Sequence, residues 1–360
     1  LQLRLTVVQL KQVKLWGEPM RIYFATNRDP NNLNNPTDFG SRFSPNGLTD
    51  LRFGWADVSG SNFDQYTLTT APESLAVSLN RAEVGDFSEQ KLGSISVFDA
   101  IRQEMKQLKQ DCVIFVHGFN TSFADAIQRT AQLKEFYSEL PLTFFLFTWP
   151  SDGRLIGERA YASDRDDARA SGVALGRGMQ KFAAYLHGTS SEDYCGQKVH
   201  LFAHSMGNYA LRWAVQGIRS SAGNNLRRLL EQILLFAADE DDDAFEFDYK
   251  LQTLSDMARR VTIYHNAGDT ALITSNITKG NPERLGASGP HNSMVLPNKV
   301  SVVNCESVIS RSQDLSGHHY DRLNNMVRQD VLAVLKGLEP QDIKTRKYQP
   351  DTRSYRLKRG

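Results

Sequence analysis

A serine between small residues, Ala203-His204-Ser205-Met206-Gly207, closes the apolar β-type run Val199-His200-Leu201-Phe202. The motif G-x-S-x-G puts a nucleophilic serine on a strained strand-to-helix turn, and its neighbours two positions either side must be small because adjacent backbone closes on them. Ala203 takes the place of the first glycine, which this steric requirement tolerates. The chemistry is attack on an acyl carbonyl, and the negative oxygen that forms needs preorganised N–H donors. The Met206 N–H is one, at the start of a helix whose dipole favours an anion. An upstream run, Val113-Ile114-Phe115-Val116, ends in His117-Gly118-Phe119-Asn120. Gly118 permits a tight bend there, and Phe119 offers the second donor.

A serine hydroxyl needs a base to take its proton and an acid to orient that base, and on a turn of this kind they follow in the order Ser, acid, His. The run 260–265 ends in Asn266-Ala267-Gly268-Asp269, which sets Asp269 just past a strand end. Asp239 and Asp241-Asp242-Asp243 compete for the role, but carboxylates massed ahead of Phe245 read as helix capping and dipole matching. The base comes from Gly317-His318-His319-Tyr320, late in the chain and directly before an amphipathic stretch. One of two adjacent imidazoles points into a given site; the reading takes His318 and keeps His319 in reserve. His204 reads as packing support and His117 as a brace for the loop that follows it. His187, His200, His265 and His291 share no metal-ligand spacing, and there is neither HExxH nor a Cys/His cluster, so no metal is expected. No G-x-G-x-x-G or P-loop follows a strand, so no cofactor is expected either.

The elements that must position these residues alternate. From 98 onward the pattern is helix 98–108, strand 112–117, helix 122–138, strand 142–148, helix 158–186, strand 198–204, helix 206–220, strand 232–238, helix 245–257 and strand 260–265. A loop-rich insertion over 275–298 leads to strand 300–304 and helix 320–336. Such alternation predicts an α/β fold: a mostly parallel sheet with helices on both faces. Strand 21–26, with short β segments near 65–71 and 75–79, forms an antiparallel N-terminal edge. Between them, 30–62 is dense in turn formers and reads as a long loop. Residues 340–360 crowd Lys344, Arg346, Lys347, Arg353, Arg356, Lys358 and Arg359 between prolines and read as a basic, flexible tail. The expected organisation is an N-terminal extension over 1–19, one domain over 20–337, and the tail over 338–360. The extension is set apart because the chain opens on Leu1 while Met20 directly precedes a well-formed strand.

The 360 residues, 40% hydrophobic, suffice for one large core. A net charge of +1 gives no field that would favour nucleic acid. Three cysteines without a CxxC pair fit a reducing compartment, and no apolar stretch approaches a membrane span, so a cytoplasmic protein is expected. Oligomeric state is not legible.

Taken together, Tyr23-Phe24-Ala25-Thr26-Asn27-Arg28, Val116-His117-Gly118-Phe119-Asn120-Thr121-Ser122-Phe123, Phe147-Thr148-Trp149-Pro150-Ser151 and Ala203-His204-Ser205-Met206-Gly207-Asn208 resemble the α/β-hydrolase family catalogued as domain of unknown function 900. Asp239 with Phe245, Gly268-Asp269-Thr270-Ala271-Leu272 and Gly317-His318-His319-Tyr320 extend the resemblance, which spans about residues 20 to 337. That family is described as esterase- or lipase-like. Its late motif reads Gly-His-Ser-Tyr, which places the functional histidine at His318 and puts His319 where serine usually stands. The turn at Trp149-Pro150-Ser151 and the pair Tyr161 and Asp164 look like family features at the pocket rim. The resemblance implies a serine esterase acting on a small-molecule ester. An amidase, thioesterase or acyltransferase on the same scaffold, or a non-catalytic interaction protein, is the alternative.

Overall fold

A computed structural model gives the fold over residues 19–71, 93–151, 158–188, 195–222, 228–277 and 283–359. The chain begins with β1 (Met20–Thr26), β2 (Arg28–Pro30), β3 (Phe39–Phe43), β4 (Arg52–Ser59) and β5 (Gln65–Thr70). Alternation then sets in with α1 (Gly93–Leu108), β6 (Asp111–Val116), α2 (Phe123–Phe136), β7 (Leu142–Thr148), α3 (Glu158–Gly188), β8 (Val199–His204), α4 (Gly207–Ala222), β9 (Leu230–Phe236) and β10 (Ala258–His265). It closes with α5 (Thr270–Ile277), α6 (Leu285–Ser288), β11 (Val300–Asn304), α7 (Tyr320–Leu323), α8 (Asn325–Leu335), β12 (Arg346–Gln349) and β13 (Ser354–Leu357).

Among the described residues one sheet of eleven strands runs β12-β13-β11-β10-β9-β8-β6-β7-β1-β4-β5. From β13 to β1 each neighbouring pair is parallel, while β4, β5 and β12 are antiparallel edges. β7 and β8 are buried at every position, as strands covered on both faces must be. The helices divide between the faces. Val97, Phe98 and Ile101 of α1, Leu175 of α3 and Leu211 of α4 pack in one core, whereas Ala126 and Ile127 of α2 and Val327 and Val331 of α8 pack in the other. The chain therefore leaves β6 towards one face and its neighbour β8 towards the other, which opens a crevice at their carboxyl ends. Register keeps these ends level: Val116 pairs with Ala203, His204 with Phe236, and Tyr264 with Phe236.

The structure corrects several expectations. The stretch 30–62 is not one loop, since it contains β3 and β4, and β4 carries the antiparallel edge against β1. Its turn formers thin out over 51–56, where Gly54, which reads as another breaker, is required by packing: a Cβ there would lie 2.3 Å from Thr69 O and 2.8 Å from the Phe24 ring. The strand expected near 75–79 lies outside the described residues. In place of a helix over 245–257 there are turns and a 3-10 helix at Gln252–Met257, with Leu251 N–H donated to Ala244 O and Lys250 Nζ held on Asp241 and Asp243. The helix expected over 320–336 is split at Asn324, whose extended backbone ends α7 and whose side chain caps α8. The basic segment is folded as well. β13 joins β11 in parallel, β12 pairs with β13, and Ile343 and Leu357 are buried in the core.

Candidate active site

β8 delivers Ser205 with φ of 54°, a left-handed backbone that a non-glycine residue keeps only where its surroundings overdetermine it. They do so here. Ser205 N–H donates to Phe236 O at 3.0 Å, and Asp239 N–H donates to Ser205 O at 3.1 Å. The buried Asn208 amide reaches Ala203 O at 3.2 Å, Ser205 O at 3.0 Å and Phe236 O at 3.3 Å. Ala203 is fully buried, and a Cβ on Gly207 would lie 2.5 Å from Val116 O and 2.6 Å from His117 O, the crowding that demands small residues at both places. Sequence reasoning placed Ser205 on this turn and missed the role of Asn208, whose only signal is an amide on the first turn of a helix with a buried face.

The loop after β6 lies directly against the serine, since a Cβ on Gly118 would sit 2.6 Å from Ser205 Cβ and 3.2 Å from its Oγ. Asn120 takes a φ of 52° and donates its N–H to the fully buried Asp164. Asp164 also accepts the Ser151 hydroxyl, whose oxygen takes the Thr121 N–H at 3.0 Å, so the turn after β7 and α3 together hold the loop. Tyr161 packs its ring 5.6 Å from that of Phe119 and donates its hydroxyl to Asp239. Among the described residues no protein acceptor takes the backbone N–H of Phe119 or of Met206.

In the loop after β11, His318 Nδ1 lies 2.7 Å from Asp269 Oδ2. Asp269 is fully buried and its Oδ1 accepts the Leu272 N–H at 3.0 Å, so one oxygen holds the start of α5 and the other the imidazole. Gly317, at φ of 64°, turns the chain into the site, and Asn266 Nδ2 donates to its carbonyl at 2.8 Å. His204 Nε2 donates to His318 O at 3.0 Å, tying the elbow to the histidine loop, which is the supporting place expected of it. The Tyr320 hydroxyl receives Ala237 N–H at 2.7 Å and donates to Tyr264 O at 2.8 Å, joining that loop to β9 and β10. Burial alone would push His318 down, but the adjacent Asp269 carboxylate, with Asp321 and Asp239 further off, holds it above the ordinary imidazole value.

Of the two adjacent histidines, then, His318 is the one paired with the acid. Burial, with Arg322 and His318 adding to it, pushes His319 down to about 2, so that ring stays neutral. Of the competing carboxylates, Asp239 is engaged by Tyr161 and by Arg284 Nε at 3.3 Å. Asp241 is held by Lys250 and Arg284 and caps no helix. As for metals, His204, His319 and Asp321 bring three potential ligand atoms within 4.8 Å. A carbonyl can only accept, so the proton of the His204–His318 bond sits on His204 Nε2 and the lone pair of that ring is on Nδ1.

The sequence model of the family described as "Alpha/beta hydrolase of unknown function (DUF900)" matches residues 96–334. The chain belongs to the DUF900 family. The match runs from α1 to α8, so it takes in the serine elbow, the loop after β6 and the histidine loop. Membership in DUF900 supports a hydrolase in general. No curated protein matches the chain. A crystal structure of an uncharacterized protein from Pseudomonas aeruginosa is similar at 10% identity and a TM-score of 0.23, over 50% of this chain and 40% of that one, a likeness too slight to bear on fold or activity. Among the described residues no helix is long and apolar enough to cross a membrane.

Proposed function

We propose that this DUF900 protein is a serine hydrolase of carboxylic esters, with Ser205 as nucleophile, His318 as base and Asp269 as the group that orients it. The observation that carries the reading is the buried His318–Asp269 pair at 2.7 Å, reached from the same sheet edge as a serine held at positive φ. Asp269 fixes the proton on Nδ1 and leaves the Nε2 lone pair to receive the Ser205 proton. Ser205 Oγ adds to the carbonyl carbon, and the N–H groups of Phe119 and Met206 stabilise the oxyanion. Collapse of the tetrahedral intermediate returns the proton from His318 to the departing alkoxide. Water, deprotonated by His318, then attacks the acyl-enzyme and releases the acid.

Esters are favoured over amides on chemical grounds. An alkoxide leaves far more readily than an amide anion, so an ester asks less of the His318 proton than an amide, whose nitrogen must be protonated before it can depart. The test is hydrolysis of p-nitrophenyl acetate, butyrate and octanoate by the wild type beside Ser205→Ala of confirmed fold. Turnover that disappears in the variant supports the reading, and equal turnover in both contradicts it.

A further inference from the structure

His117 occupies a place in this site that its neutral, buried state makes specific. Its Nδ1 is 2.9 Å from Gly118 O, and because a carbonyl only accepts, Nδ1 must carry the proton. Nε2 is then the acceptor, and two donors face it: the Thr148 hydroxyl at 3.0 Å and the Trp149 N–H at 3.3 Å. The Thr148 oxygen itself accepts the Arg28 Nε–H at 3.0 Å, so its own hydrogen is the one directed at Nε2. Each proton along Arg28, Thr148, His117 and Gly118 has a single place. Arg28 is fully buried and places three of its other N–H groups on carbonyls of Gly40, Ser151 and Thr121, the last in the loop after β6. The His117 ring cannot swing, since it stacks on Trp149 at 5.1 Å and 12°, and the indole N–H is tied to His117 O at 3.0 Å.

The bond to Gly118 O matters because of what shares its peptide plane. In a trans peptide the C=O and the N–H point in opposite directions, so fixing the Gly118 carbonyl fixes the Phe119 N–H. His117 holds that carbonyl, the Thr121 hydroxyl is shared between it at 3.1 Å and Phe119 O at 3.0 Å, and Gly118 lies against Ser205. We propose that His117 is a positioning residue for the oxyanion donor: locked as the Nδ1–H tautomer by Arg28 through Thr148, it aims the Phe119 N–H at the oxygen that becomes negative. This rests on the ester-hydrolase reading of Ser205. Burial and the nearby Arg28 charge hold the imidazole well below its ordinary value, in keeping with a ring that donates as a neutral group.

Two isosteric replacements separate this role from packing. Asparagine sets an amide nitrogen near the place of Nδ1, and glutamine sets one near the place of Nε2. The expected result is that His117→Gln lowers kcat by about a hundredfold or more with KM little changed, the size of a lost oxyanion donor, while His117→Asn recovers at least about tenfold of that loss. Alongside, ¹⁵N spectra of histidine-labelled wild type should show a neutral His117 with its proton on Nδ1 between pH 6 and about 9. An Nε2–H tautomer, a His117→Gln enzyme with wild-type kcat, or equal losses in the Asn and Gln variants at equal stability would overturn the proposal. Failure of the ester reading looks different: wild type and Ser205→Ala would then match each other on esters, whatever the imidazole spectrum.

Discussion

As the proposed base, His318 has to be neutral to accept a proton, yet its surroundings favour the charged ring. Burial opposes the charge, and the Asp269 carboxylate at 2.7 Å, helped by Asp321 and Asp239, overcomes it and raises the pKa above the ordinary imidazole value of about 6.5. Since only the unprotonated ring accepts the serine proton, kcat/KM should fall as pH is lowered through a value above about 6.5. In Asp269→Asn the strongest raising influence is gone and the tautomer is no longer fixed, so that limb should move to lower pH while the rate drops by about 10⁴. A pH–rate profile of both enzymes checks this, and an unmoved limb would separate Asp269 from the base. A second residue-scale expectation concerns Gly118. Its added methyl would lie 2.6 Å from Ser205 Cβ, so Gly118→Ala should cost most of the activity while urea unfolding shows the fold intact.

Among the elements, the C-terminal hairpin shows why some of the chain was legible and some was not. Apolar runs announce β6, and they show through in β8 and β10 despite His200, His204, Arg259, Arg260 and Thr262, because strands covered on both faces are buried over most of their length. β7 and β11 fall where their apolar runs place them. The hairpin of β12 and β13 is written in charges, which composition reads as a solvated tail. In the fold those charges have partners: Arg346 makes a buried two-pronged bond to Asp330 of α8 at 2.9 and 2.7 Å, and Arg353 caps Met294 O and Leu296 O. Tyr264 donates to the same Asp330 at 2.8 Å, so β10, α8 and β12 meet at one carboxylate. Removing a single partner leaves a buried charge unpaired. Arg346→Ala should therefore destabilise the fold by about 3–5 kcal/mol in urea denaturation, whereas Lys347→Ala, on an exposed position, should change it by less than about 0.5 kcal/mol. Similar stability of the two variants would mean that the hairpin contributes little. Breaks such as Asn324, and strands such as β4 hidden behind turn formers, depend on tertiary packing that no local pattern reveals.

At the scale of the whole molecule, the site is a consequence of strand order. β6 and β8 are neighbours whose following helices go to opposite faces, and the ends of β9 and β10 and the loop after β11 come level beside them. Segments as far apart as His117-Gly118 and His318, 201 positions between the two histidines, thus come to the serine turn, Gly118 against Ser205 and His318 O bonded to His204, without any one segment carrying the proposed site. That is why separated motifs in order identified the DUF900 family where a five-residue match around one serine could not. The central claim is that the convergence activates Ser205. The most direct measurement is reaction with a fluorophosphonate, which a serine becomes able to attack only when a base takes its proton, followed by intact mass and peptide mapping. One adduct per chain on Ser205, much slowed in His318→Ala, is the predicted result. No adduct, or one that forms at the same rate without His318, would contradict it.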